Sequence, residues 1–158
     1  FNKPTIKEGK AIQDLIAHCG NMDVNSLYSY LLIGEHFSDT SIVAHSDSGL
    51  VGYISGYLIP GSSDTLFIWQ VAVHESTRGQ GLAKQLMHNL LGRSELREVK
   101  NIQTTVTPSN LASQKFFESV AKSLDSEMKQ VGEFSDTLFG DDSHEAEIIY
   151  NIGPFSLS

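Results

Sequence analysis

Residues Leu66 to Val73 read LFIWQVAV, an almost wholly apolar run, and they lead through HEST (His74 to Thr77) directly into RGQGLA (Arg78 to Ala83). Beyond it Ala83, Leu86, Met87, Leu90 and Leu91 recur at helical spacing until Gly92, a residue suited to stop a helix. A strand with apolar residues on both faces, a glycine turn and an amphipathic helix in that order form the first half of a β-α-β unit. This unit commits the chain to an α/β fold with a central sheet.

The flanking segments extend the pattern. Thr5 and Glu8 stand as a capping box before Ala11, Ile12, Leu15 and Ile16, which predicts a first helix over Ile6 to His18. Leu27, Tyr30 and Leu31 predict a short second helix capped by Asn25 or Ser26. TSIVAH (Thr40 to His45) and LVGYISGYLIP (Leu50 to Pro60), joined by SDSG, read as an antiparallel hairpin, with Gly52 and Gly56 marking a bulge or a close backbone approach. NIQTTVTP is a strand ended by Pro108, and Ser109 or Asn110 caps a helix bearing Leu111, Ala112, Phe116, Phe117 and Val120. EMKQVGEF and EAEIIYNI are the last strands, with the loop FGDDSH before the second. The expected architecture is a mixed sheet of six to seven strands with four helices, in one domain over 1–153 followed by a tail at 154–158.

Charge and cysteine content narrow the function classes. The net charge of −8 disfavours nucleic acid and anionic membranes as partners and suits a cationic small molecule. Cys19 is the single cysteine, so no intrachain disulfide and no cysteine metal site is expected, and the cytoplasm is the default compartment. The first ten residues, FNKPTIKEGK, lack the apolar core of a signal peptide, although a chain opening on Phe1 leaves a removed leader open.

The glycine loop has a direct physical use. Two glycines at a helix start let main-chain N–H groups approach an anion at the positive end of the helix dipole. Neither familiar phosphate fingerprint fits: Lys84 stands where a P-loop needs its second glycine, and where a dinucleotide loop needs a small residue. A bare G-x-G is also compatible with a tight turn and nothing more.

Arg78-Gly79-Gln80-Gly81-Leu82-Ala83 resembles the acyl-CoA signature [QR]-x-x-G-x-[GA] of the GNAT N-acetyltransferase superfamily, and the strand before it, the helix after it and Pro108-Ser109-Asn110 are similar in placement. The resemblance implies the GNAT acyl-CoA N-acyltransferase fold. It also implies a CoA pyrophosphate on the loop amides and a pantetheine arm along Val71 and Val73. MDVNSLYSYLL, HFSDTSIVA, FIWQVAVH, TTVTPSNLAS and HEAEIIY together resemble the L-2,4-diaminobutyrate acetyltransferase family of ectoine synthesis. That family uses acetyl-CoA as cosubstrate, a small diamino acid as acceptor and no metal, as a cytoplasmic homodimer serving compatible-solute production under osmotic stress.

Acetyl transfer requires a neutral amine, yet an alkyl amine with a pKa of about 10 is protonated at neutral pH, so a base is needed. By resemblance Glu147 is that base or a proton relay, and His144 helps bind the substrate. Asp23 lies just before the short helix bearing Tyr28, where a carboxylate can balance an ammonium and a phenol can hydrogen-bond the amino-acid end of the substrate. Trp69 is a core residue or, if Val71 and Val73 share its face, a cleft wall. Each has a plainer alternative: a solvated strand glutamate, an exposed loop histidine, a turn aspartate, a half-buried tyrosine. Thr104 and Thr105 face opposite sides, so one at most reaches the cofactor, and Asn110 touches pantetheine or only caps its helix.

Where many superfamily members carry a tyrosine as general acid this chain has Phe117, which donates no proton, and no neighbour is singled out in its place. Cys19 reads as a structural thiol and not as an acyl carrier. A non-catalytic acyl-CoA sensor and an acetyltransferase for protein amines are the rival readings.

Overall fold

The structure, a computed structural model, describes residues 1–140 and 143–157; Asp141 and Asp142 of the FGDDSH loop and Ser158 of the tail lie outside the described residues. The elements follow the expected order: α1 (Gly9–Cys19), α2 (Leu27–His36), β1 (Ile42–Ser46), β2 (Gly49–Leu58), β3 (Thr65–Val73), α3 (Leu82–Leu91), β4 (Asn101–Val106), α4 (Leu111–Ser123), β5 (Met128–Phe134) and β6 (Glu147–Ile152). They form a six-stranded sheet in the order β1-β2-β3-β4-β6-β5. It is mixed, with β3 parallel to β4 and the β1–β2, β4–β6 and β5–β6 pairs antiparallel.

The chain divides into two compact units, Phe1–Tyr57 with Trp69–Arg97, and Leu58–Ile68 with Glu98–Ser158. In the first unit, Thr5 N–H donates to Glu8 Oε1 at 2.9 Å. That tie belongs to a tight 3-10 turn over Ile6–Glu8, so α1 proper starts at Gly9, three residues later than the periodicity predicts. Ile12, Leu15 and Ile16 of α1 pack with Tyr30 and Ile33 of α2, Val43, Tyr53 and Ala72 as one core. Ser26, not Asn25, caps α2, its Oγ accepting from Ser29 N–H at 3.4 Å. α3 buries Leu86, Met87, Leu90 and Leu91. Its approach depends on Gly52, where a Cβ would stand 2.7 Å from Leu86 Cδ1. The hairpin bulge falls between Ala44 and His45, opposite that glycine.

The burial of β3 differs from expectation. Leu66, Ile68, Gln70 and Ala72 are buried, but Trp69 is 47% exposed and Phe67, Val71 and Val73 are only half-buried. β3 is therefore central in the sheet with one fully buried face and one face left partly open.

In the second unit the β3–β4 ladder runs from Thr65 opposite Asn101 to Ile68 opposite Thr104. α4 buries Phe117, Val120 and Ala121, and its cap is Asn110, whose Oδ1 accepts from Ser113 N–H at 3.1 Å. β6 starts at Glu147, so Glu145 lies before the strand and does not share a strand face with it. The chain end folds back here: Phe155 is buried and its N–H donates to Lys100 O at 2.8 Å. No helix among the described residues is long and apolar enough to cross a membrane.

Candidate active site

The loop after β3 is built by a chain of local hydrogen bonds. His74 N–H donates to Val51 O at 2.7 Å, and His74 Nδ1 accepts from Ser76 N–H at 3.1 Å, which winds Glu75–Thr77 into a 3-10 turn. Gln80 Nε2 donates back to Ser76 O at 3.2 Å. Gly79 and Gly81 then take φ of 79° and 73°, left-handed values that α3 needs for its sharp start. A Cβ at either would meet nothing within 4 Å, so the concave side of the loop is open.

This opening is also where donors are unspent. Gly81 caps α3 without a side-chain hydrogen bond, and the ladder begins with Gln85 N–H to Gly81 O at 3.0 Å. The amides of Leu82, Ala83 and Lys84 have no acceptor within the helix, as in every first turn. Arg78 and Lys84 are exposed beside them. An open cradle of amides, a helix dipole and two cations fits a pyrophosphate, and such a site can hold one in a chain whose net charge is −8.

Trp69, Val71 and Val73 share one face of β3 by strand period, the condition under which Trp69 lines a cleft. The Cys19 thiol donates to Val73 O at 3.4 Å and so holds the end of the strand, a structural use of that cysteine. Thr104 Oγ1 is buried and donates to Ile68 O at 3.0 Å, which leaves Thr105 on the opposite, half-buried face. Asn110 uses its side-chain oxygen as the α4 cap. Phe117 is buried edge-on against Phe116, with ring centroids 5.0 Å apart.

The other expected residues fall into three places. In the first unit, exposed Asp23 sits on the α1–α2 loop, and its main-chain carbonyl accepts from Gln70 Nε2 at 2.9 Å. Tyr28 is 60% exposed on α2 and lines a shallow recess with Ile6, Lys7, Leu31, Leu32 and Glu35, which none of the other expected substrate residues lines. In the second unit, His144 and Glu147 lie in and just after the segment that leads into β6. The His144 ring stacks on Phe139 with centroids 3.9 Å apart, and its Nδ1 lies 2.6 Å from Glu145 O. A carbonyl oxygen only accepts, so Nδ1 carries the proton and the acceptor of the neutral ring is Nε2. Glu147 is half-buried and pairs with Phe134 of β5.

Two residues escape a reading by motif. Glu145 accepts from both the main-chain N–H and the hydroxyl of Ser109, tying the segment before β6 to the turn before α4. Gln70 is a buried carboxamide in an apolar strand, and that single polar residue in LFIWQVAV was the available signal. Among the described residues no group of three or more His, Cys, Asp or Glu side chains is placed to hold a metal.

The glycine cradle at the start of α3, following the third strand of a mixed sheet, is compatible with an acyl-CoA-dependent N-acyltransferase, and the family match places the chain in that class. Residues 10–121 match the Acetyltransferase (GNAT) family. The chain is 43% identical over 98% of its length to the L-2,4-diaminobutyric acid acetyltransferase of Methylotuvimicrobium alcaliphilum, covering 90% of that protein. It is 44% identical over 96% of its length to the enzyme of that name from Virgibacillus pantothenticus, covering 95% of it. Diaminobutyrate acetyltransferase EctA from Paenibacillus lautus, solved in complex with its substrate L-2,4-diaminobutyric acid and coenzyme A, superposes with a TM-score of 0.94 at 36% identity, over 99% of this chain and 95% of that one. Ard1 from Thermoplasma volcanium, at 16% identity and a TM-score of 0.76, shares the fold alone. The chain belongs to the L-2,4-diaminobutyric acid acetyltransferase family of GNAT enzymes.

Proposed function

We propose that this protein transfers the acetyl group of acetyl-CoA to the 4-amino group of L-2,4-diaminobutyrate, giving N4-acetyl-L-2,4-diaminobutyrate, the precursor that is cyclised to ectoine. The observation that carries the reading is the likeness over nearly the whole chain to a relative solved with diaminobutyrate and coenzyme A together. The open amide cradle supports it independently, because CoA presents a pyrophosphate and the loop presents unspent donors.

The chemistry follows from the residues. The 4-ammonium must lose a proton before nitrogen can attack the thioester carbon; the C–N bond then forms, C–S breaks and the CoA thiolate leaves. Glu147 takes that proton directly or through a relay, with His144 binding the substrate beside it. Asp23 balances the charge of the α-ammonium and Tyr28 hydrogen-bonds the amino-acid end, while Trp69 walls the aliphatic part. The cofactor lies on Arg78, Gly79, Gln80, Gly81, Leu82 and Ala83 and along Val71 and Val73, with Thr105 and the region of Asn110 toward its pantetheine. With Phe117 unable to donate, a thiolate whose thiol has a pKa of about 8.5 needs only water or an adjacent donor.

The same reading includes a homodimer in the cytoplasm, supplying a compatible solute under osmotic stress. Val131 and Phe134, exposed on β5 at the end of the strand order, offer apolar surface for a partner copy. Incubation with acetyl-CoA and a panel of amines, with products identified by mass spectrometry, tests the function. Acetylated diaminobutyrate is expected; CoA binding without any product would favour a sensor, and acetylated peptide with inert diaminobutyrate a protein acetyltransferase.

A further inference from the structure

Gln70 is 6% exposed in the middle of β3, where a carboxamide without partners would cost several kcal/mol. Its partners are specific. Nε2 donates to Asp23 O at 2.9 Å, and Oε1 accepts from the Tyr30 hydroxyl at 3.3 Å. Tyr30, 1% exposed, accepts in turn from Asn25 N–H at 3.2 Å, and Gln13 Nε2 donates to Asn25 O at 3.1 Å. The polarity is consistent from end to end: Asn25 N–H to Tyr30 O, Tyr30 O–H to Gln70 Oε1, Gln70 N–H to Asp23 O. A flipped carboxamide would set oxygen against oxygen at Asp23, so the orientation is determined.

The segment held this way has no repeating structure of its own. Gly20 leaves α1 with φ 73°, and no helix or strand covers the chain until Leu27. Its main chain is therefore gripped at residues 23 and 25 by two buried side chains anchored in the core, one of them on the strand that carries Trp69 on its opposite face.

We propose that Gln70 and Tyr30 are positioning residues for the amino-acid end of the substrate, fixing the α1–α2 loop so that Asp23 presents its carboxylate at one place relative to β3. The assignment rests on Asp23 binding the substrate ammonium, as in the function proposed above. Loss of the clamp leaves the CoA loop untouched, so the defect falls on one substrate only. Its magnitude follows from the loop: a carboxylate free to wander forfeits most of a charge-assisted hydrogen bond, a change of about tenfold or more in affinity.

The test compares Gln70→Leu, Gln70→Glu and Tyr30→Phe with wild type. Gln70→Leu and Tyr30→Phe should raise KM for diaminobutyrate about tenfold and about threefold respectively, and leave KM for acetyl-CoA within about twofold. Gln70→Glu distinguishes positioning from bulk: protonated, it donates to Asp23 O as the carboxamide does; ionised, it repels that carbonyl. Its KM for diaminobutyrate relative to wild type should therefore rise as pH is raised from 6 to 9, an effect that a space-filling role would not produce. Amide exchange at Asn25 in substrate-free Tyr30→Phe should quicken, and this readout holds even if Gln70→Leu fails to fold. Unchanged exchange at Asn25, or KM values for both substrates moving together without pH dependence in Gln70→Glu, overturns the clamp. Wild type inert toward diaminobutyrate would overturn the underlying reading of Asp23 and the clamp's purpose with it.

Discussion

Trp69 and Gln70 are consecutive in β3 and oppositely placed, the indole 47% exposed and the carboxamide 6% exposed. One strand thus presents an aromatic wall on one side and anchors a loop on the other. In the function proposed above, that open indole is the wall along the aliphatic part of the substrate, and its substitution separates this role from a core one.

Trp69→Ala should leave the melting temperature within a few degrees, since substitutions at exposed positions usually stay within about 0.5 kcal/mol. The KM for diaminobutyrate should rise about three- to thirtyfold, the range of a cation–π contact plus lost apolar contact, with Trp69→Phe intermediate. Steady-state kinetics beside a thermal melt checks both. A large loss of stability with unchanged KM would return Trp69 to the core.

Gly81→Ala adds a methyl that meets no neighbouring atom within 4 Å, but at φ 73° it costs about 1–2 kcal/mol of backbone strain. The fold should survive, somewhat destabilised, while the methyl crowds the anion cradle. Titration calorimetry should show CoA affinity reduced at least about tenfold, with diaminobutyrate binding retained. Equal CoA affinity in a folded variant would place the pyrophosphate elsewhere.

Glu147→Gln preserves shape and removes basicity. Turnover near neutral pH should drop about 10²-fold or more, and alkaline pH should restore part of it by supplying neutral amine. Wild-type turnover in the variant would assign deprotonation to water or to another group, with His144 Nε2 the first to examine.

Lys3 joins two carboxylates, Asp39 at 2.8 Å and Glu95 at 2.6 Å. The Lys3 ammonium holds the Glu95 carboxyl at about 2, below its ordinary 4.5, and the two carboxylates raise Lys3 above 10.5. A depressed carboxyl contributes stability that is complete above pH 4.5 and lost as pH falls through about 2; a raised ammonium contributes below pH 10.5 and loses it at higher pH. Lys3→Met should therefore be less stable than wild type at pH 7, with the gap closing toward pH 2 and narrowing in high salt because these groups are exposed. Urea unfolding at several pH values measures it, and a gap independent of pH would contradict the tie.

Element order was readable because its signals are local. Ser26 and Asn110 both act through side-chain oxygens three residues from the amide they cap, and Gly92 stops α3 where periodicity ends. The 3-10 start at Ile6 was not readable, because a capping box looks the same before either kind of turn. Glu145 and Gln70 were missed for another reason: their partners lie 36 and 47 residues away, and a side chain bound to a distant main chain leaves no period in the sequence. Asn110 could be placed only as cap or cofactor contact, and the structure shows the cap. The face shared by Trp69, Val71 and Val73 followed from strand period alone, but its exposure did not, since exposure depends on what the rest of the chain leaves uncovered.

In the proposed mechanism position, not basicity, selects the nitrogen acetylated. In diaminobutyrate the α-amine is the less basic and would be the more abundant free amine, so transfer governed by proton equilibrium alone would favour it. In that mechanism an anchor at Asp23 and Tyr28 reverses that choice by bringing only the 4-amine within reach of the thioester, so ornithine and then lysine should be progressively poorer substrates. Two-dimensional NMR of the product formed from acetyl-CoA and L-2,4-diaminobutyrate tests this most directly: the account predicts an acetyl amide proton coupled to the terminal methylene, and coupling to the α-proton would contradict it.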